Sequence, residues 1–133
     1  MAEAAVPVLQ VDGLKKHFPV RKGLLRRTVG HVYAVDGVSF EIQPGETLGL
    51  VGESGSGKSV TASSVLRLVP DPPGKILGGS IRLAGKDILA MPREDLPKIR
   101  GSEVAMIFQD PMTSLNPVFT VEKQLGEVLR LRF

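Results

Sequence analysis

An α/β fold is what this sequence predicts, and three observations carry the prediction. A short apolar run, Thr47 to Val51, leads straight into a glycine-rich loop, Gly52 to Ser59. A segment with helical character follows from Lys58 to about Val69. A second unbroken apolar run, Val104 to Phe108, again ends in a loop. Runs of this kind, without alternation, fit strands buried on both faces, as in a parallel sheet. The chain of 133 residues is 42% apolar and 23% charged, the balance of an ordinary globular protein. It is long enough for one domain with a core and short for a fold of many strand-helix repeats.

Taken in order, Val8 to Leu14 alternates loosely and reads as a first strand, and Val32 to Ile42 reads as one or two strands around Asp36-Gly37. "QPGE" at 43 to 46 is a turn before the first apolar run. In the helical segment Val65, Leu66 and Val69 share a face, and Pro70 ends it because proline has no N–H to donate. "PDPPG" at 70 to 74 is a stiff loop, Gly79 to Ala84 returns as a strand, and "GKDI" turns. Arg93 to Arg100 is a weak helix interrupted by Pro97. After Phe108 come a proline-bounded loop, Asp110 to Pro117, and a helix from near Thr120 with Leu125, Val128 and Leu129 as its apolar stripe.

The loop "GESGSGKS" matches G-x-x-x-x-G-K-[ST] at Gly52, Gly57, Lys58 and Ser59, between a strand and a helix as that motif requires. Glycines at 52, 55 and 57 are expected to take positive φ and gather backbone N–H groups into a concave nest for a phosphate. The nest lies at a helix N-terminus, whose unpaired donors and partial positive charge favour an anion. Gly52, Glu53, Ser54, Gly55, Ser56, Gly57, Lys58, Ser59 and Val60 are therefore the expected nucleotide-binding residues. Lys58 is expected to reach the β- and γ-phosphates, and the Ser59 hydroxyl to help hold Mg²⁺. A dinucleotide-type G-x-G-x-x-G from Gly55 fails, because Val60 stands where its last glycine should be.

About fifty residues precede this loop, and "VAMIFQDPMTSLNP" follows it. With "VGESGSGKSVTASSVLRLVPDPPGKILGG" and "GSEVAMIFQDPMTSLNPVFTV", the chain resembles the ATP-binding subunit of ABC transporters, in particular the oligopeptide/dipeptide importer branch. The resemblance implies a P-loop NTPase of the ABC ATPase type: an antiparallel β-subdomain plus part of a parallel-sheet core. It divides the chain into a β-subdomain start at 1–46 with a basic insertion at 15–27, then a strand, phosphate loop and helix at 47–69. A second β segment and the strand to the Q-loop follow at 70–108, then the Q-loop and the start of a helical subdomain at 109–133. By the same resemblance Gln109 is the Q-loop glutamine, catalytic with Lys58 and touching Mg²⁺ or the attacking water. Phe18 aligns with the aromatic that stacks on adenine, with Tyr33 as the other candidate; a flat π-face suits a base.

The cofactors so implied are ATP and Mg²⁺. The implied partners are a second ATPase subunit, two membrane permeases and, indirectly, an extracytoplasmic solute-binding protein, with no nucleic acid. The implied location is the cytoplasmic face of the inner or plasma membrane. These 133 residues hold no apolar run followed by Asp-Glu, no Leu-Ser-Gly-Gly-Gln signature and no switch histidine; "LGGS" at 77 to 80 has the wrong order. The chain alone is thus expected to bind nucleotide weakly and hydrolyse it hardly at all, since phosphoryl transfer depends on positioned charge. An incomplete sheet is further expected to leave exposed edges and uncovered apolar faces.

The absence of cysteine excludes disulfides and thiolate metal sites. No apolar run approaches the ~20 residues of a membrane span, and Glu3 precedes no apolar signal stretch. The net charge of +3 is uneven: Lys15, Lys16, Arg21, Lys22, Arg26 and Arg27 have no acid among them, and the rest of the chain holds 11 basic against 14 acidic residues. Such a cluster is usually a solvated loop, although it could meet nucleic acid or anionic lipid. It keeps two other functions in view: a soluble P-loop ATPase acting on nucleic acid, and a non-hydrolysing nucleotide-binding fragment. His17 and His31 match no metal motif.

Overall fold

The computed structural model describes residues 6–24, 27–110 and 114–132. Two long strands, β1 (Leu9–Lys22) and β2 (Arg27–Ile42), are followed by α1 (Lys58–Val65), β3 (Lys75–Leu83) and the two-residue β4 (Lys86–Asp87). A single helical turn, α2 (Leu96–Ile99), and a longer helix, α3 (Val121–Arg132), complete the order. The sheet runs β2-β1-β3-β4, and every pairing in it is antiparallel.

Strand β1 lies inside this sheet, with Leu9 opposite Ile42 on one side and Leu83 on the other. Its inward residues are Val11, Leu14 and Lys16, a spacing that breaks the two-residue period. The cause is an irregularity between Val11 and Leu14, where Gly13 takes φ 55° and donates its N–H to Ser39 Oγ at 2.8 Å. One extra residue exchanges the faces of the residues next to it, so Leu14 and Lys16 turn inward in place of Gly13 and Lys15; further irregularities follow at Lys16/His17 and Val20/Arg21. Gly79 on β3 accommodates the bulge: a β-carbon there would lie 2.6 Å from the carbonyl oxygens of Asp12 and Gly13.

The sequence reading of 15–27 as a solvated basic loop is therefore corrected. Lys15, Lys16, Arg21 and Lys22 belong to β1 and Arg27 opens β2, while Lys16 is only 1% exposed; Arg26 lies outside the described residues. Lys16 Nζ donates to the Gly74 carbonyl at 3.0 Å and stands 5.9 Å from the Phe18 ring centroid. Burial pushes its ammonium below the usual lysine range, against the opposing pull of the Asp71 charge.

The core combines Val11, Leu14 and Val35 with Ile81, Leu83 and Ile88, closed by Val65 of α1 and by Leu96 and Ile99 of α2. Helix α1 is shorter than the pattern predicts, stopping at Val65, and Arg67 beyond it takes φ 50°. Arg100 holds that end: Nε and Nη2 donate to the Leu66 carbonyl at 3.0 and 2.7 Å, and Nη2 to the Arg67 carbonyl at 3.0 Å. A guanidinium placed there satisfies orphan carbonyls and complements the negative end of the helix.

The two apolar runs expected as parallel strands do not pair. Neither Thr47–Val51 nor Val104–Phe108 forms a strand; the nearest feature is an isolated parallel bridge from Arg100 to Val104. Val51 is 90% and Ile107 97% exposed. A parallel strand needs a neighbour and cover on both faces; Val104 has one bridge and a place against the core, and the rest of the two runs has no strand partner among the described residues. Helix α3 starts where expected, with Lys123 N–H donating to the Thr120 hydroxyl at 3.3 Å as an N-cap. Its Leu125, Val128 and Leu129 are exposed, as an uncovered apolar stripe requires.

Candidate functional site

The glycine-rich loop connects the sheet to α1. Its anchor is Gly57, the N-cap of α1, at φ 92° and ψ 3°. A β-carbon there would press into the Ala34 carbonyl oxygen of β2, so loop and strand approach as closely as they do because residue 57 has no side chain. Helix α1 then starts from the same residue: Thr61 N–H and Thr61 Oγ1 both donate to the Gly57 carbonyl, at 2.8 and 2.9 Å.

Gly55 also has positive φ, 81°, with open space around it. Gly52 does not, which corrects the expectation for that position. A β-carbon there would stand 2.6 Å from Ser56 Oγ, a hydroxyl that can rotate aside. Between them, Ser56 N–H donates to the Glu53 carbonyl at 3.2 Å and folds the loop on itself. Lys58 Nζ closes the ring, donating to the carbonyls of Gly52 and Glu53 at 2.7 Å each and to Ser56 Oγ at 3.3 Å. The ammonium is thus held over the loop by oxygens that phosphate oxygens can replace.

Ser54 and Ser59 are exposed, and Ser59 stands in the first turn of α1. Val60 turns the other way and packs on the core, its carbonyl accepting from Ser64 Oγ at 2.6 Å. The small side chains face outward and the apolar one inward, the orientation a phosphate cradle on a helix start needs.

Gln109 is exposed and lies in a bend after the second apolar run. That run touches α1 through Ser63 Oγ, which donates to Met106 Sδ at 4.0 Å. Gln109 is therefore three residues, about 10 Å of chain, beyond a contact with the helix that the glycine-rich loop opens. Among the described residues no hydrogen bond joins Gln109 to the loop itself.

The two aromatic candidates occupy different surroundings. Phe18 is half-buried, its Cε1 edge filling the space a Gly74 side chain would take. Tyr33 is 65% exposed, packs edge-on against His17 at 4.4 Å between centroids, and adjoins Ala34, the residue that touches Gly57. Sequence reasoning missed both Ala34 and Arg100. Each acts on a partner more than twenty residues away, through contacts with no local sequence signal.

A comparison with family models matches residues 35–130 to the ABC transporter family. The chain belongs to that family. Among curated relatives, this ABC transporter chain is 56% identical over 98 residues to the peptidoglycan transport ATP-binding protein YejF of Agrobacterium fabrum, covering 74% of the chain and 18% of the relative. It is 52% identical over 122 residues to the oligopeptide transport ATP-binding protein AppD of Bacillus subtilis, covering 92% of the chain and 35% of the relative. It is also 52% identical over 100 residues to the oligopeptide transport ATP-binding protein OppD of the same organism, covering 75% and 28%. The ABC transporter chain thus spans about a third or less of the length of these relatives.

Proposed function

We propose that this chain provides the nucleotide-binding portion of an ATP-binding subunit that energises an ABC importer for oligopeptides, dipeptides or related small solutes. The observation that carries the reading is the loop at 52–59, pinned to β2 through Gly57 and closed by Lys58 over its own carbonyls. It stands in a chain half identical to relatives named as oligopeptide transport ATP-binding proteins. The loop from Gly52 to Gly57 suits the phosphate tail of ATP because its exposed backbone leads into the N-terminus of α1, where unpaired N–H donors favour an anion.

In this reading Lys58 leaves the Gly52 and Glu53 carbonyls for the β- and γ-phosphate oxygens, a charge-assisted contact stronger than the neutral ones it gives up. Ser59 and Gln109 hold Mg²⁺, and Phe18 or Tyr33 stacks on the adenine. Bound MgATP supplies the phosphoanhydride whose hydrolysis drives transport. Gln109, on the segment tied to α1 through Met106, reports the state of the phosphate loop to whatever packs beyond it. The partners are a second ATPase subunit, two membrane permeases and an extracytoplasmic solute-binding protein, with the chain on the cytoplasmic face. Among the described residues no helix is long and apolar enough to cross a membrane. The nucleic-acid alternative has no observation behind it: Lys16 is buried within the basic stretch, and the relatives described above are transport proteins.

Calorimetric titration of MgATP into the full subunit, parent against Lys58→Ala, tests the assignment. Affinity should fall at least tenfold, the loss of one charge-assisted contact. Equal affinity would remove the loop from nucleotide binding.

A further inference from the structure

A cavity of about 510 Å³ lies at the opposite end of α1 from the glycine-rich loop. An eight-residue helix separates the two by about 12 Å. Lys16, Arg67, Arg93 and Arg100 line this cavity, and among the described residues Asp71 is the one carboxylate in its wall. The cations are held by backbone oxygens. Lys16 donates to the Gly74 carbonyl, Arg67 Nη1 to those of Ile88 and Met91 at 3.2 and 2.6 Å, and Arg93 Nη2 to that of Asp71 at 3.3 Å. Arg100 donates to the carbonyls that end α1. Among the described residues no ion pair joins any of the four to a carboxylate.

Carbonyl oxygens orient a guanidinium without cancelling its charge. Each arginine has five N–H donors, and the bonds above engage one nitrogen of Arg67 and two of Arg100, so donors remain for a ligand. The negative end of α1 offsets about half a charge. The cavity keeps a strong positive excess between low-dielectric walls, which concentrates anions. Lys16, 1% exposed, has its ammonium withdrawn from water, with the Gly74 carbonyl, the Phe18 ring and the charge of Asp71 around it. Its position is costly unless an anion can share it.

We propose that this cavity binds a phosphoryl-bearing small molecule, its oxygens bridging Lys16, Arg67 and Arg93, at a site separate from the phosphate loop. The volume lies within the 300–1,000 Å³ of small-molecule sites, and planar guanidinium forks match phosphate oxygens. Because Arg67 and Arg100 also hold the end of α1, occupancy stiffens the helix that carries the loop. The inference stands whether or not the loop binds ATP.

Inorganic phosphate titrated into the ¹⁵N-labelled chain tests it residue by residue. Amides of Gly78 and Gly79, in the cavity wall, should shift with a midpoint independent of Gly55 and Gly57 in the loop. Arg93 is exposed at the mouth, so Arg93→Gln keeps the fold; it should weaken the cavity midpoint about tenfold and leave the loop midpoint unchanged. Arg93→Glu should weaken it further. Co-sedimentation with phosphatidic acid vesicles, abolished by Arg93→Glu, would make a lipid headgroup the source; binding of dissolved phosphate without vesicle binding would make it a free metabolite. Silent Gly78 and Gly79 amides in the parent, or a midpoint indifferent to both variants, would overturn the proposal.

Discussion

Gly57→Ala is the most informative single perturbation of the phosphate loop. Two costs add at this position. An L-residue at φ 92° is strained by about 1–2 kcal/mol. The new methyl must also displace the Ala34 carbonyl, a main-chain atom that no rotamer change can move, at a further ~1–3 kcal/mol. The reduced entropy of the unfolded chain returns about 0.4–1 kcal/mol, leaving a net loss of roughly 2–4 kcal/mol. Gly55→Ala supplies the control, since it has φ 81° and nothing within 4 Å, and so carries the conformational cost alone. The two variants should differ by about 2 kcal/mol, or roughly 6–10 °C in Tm for a chain of this size. Differential scanning calorimetry measures the gap, and MgATP titration should show at least a tenfold weaker affinity for Gly57→Ala than for Gly55→Ala. Equal losses in the two variants would mean that the contact with Ala34 does not set the position of the loop.

Further outcomes follow from the same structure. Arg100→Met should destabilise the fold by about 2–4 kcal/mol in urea titrations, because it leaves the Leu66 and Arg67 carbonyls without their charged donor; a loss under about 0.5 kcal/mol would make the contact incidental. Gln109→Ala in the full subunit should lower ATP turnover more than MgATP affinity, because in the proposed site Ser59 still holds Mg²⁺ without Gln109, and an equal fall in both would place Gln109 in binding alone. Lys16 titrates below its ordinary value of 10.5 in the fold, so the unfolded chain binds more protons between the lowered value and 10.5. Stability should therefore rise with pH across that interval in the parent and stay flat by comparison in Lys16→Met; parallel Tm profiles would show that the ammonium is not penalised by burial. The chain by itself should release phosphate from ATP at a rate indistinguishable from background, and measurable turnover would mean that these residues suffice for hydrolysis.

What could be read directly from the residues was whatever acts over a few positions. The glycine-rich loop and the start of α1 were legible because Lys58 closes on Gly52, Glu53 and Ser56 within a few residues, and α3 was legible because Thr120 caps a helix beginning at the next position. Three-dimensional packing settled the rest. The bulge at Gly13 exchanges the faces of the β1 residues next to it, burying Lys16 and turning an apparent surface charge into part of a cavity wall. Gly57 owes its identity to a carbonyl on β2, whereas Gly52 meets a rotatable serine side chain, so two glycines that look equivalent in the motif have different neighbours. The runs at 47–51 and 104–108 carry the apolar content of buried strands, yet a strand exists only when a partner supplies the other half of its hydrogen bonds, and composition does not provide one. Arg100 reaches a helix end 34 residues away, a pairing that chain-local pattern does not encode and that only the folded arrangement of α1 and α2 creates.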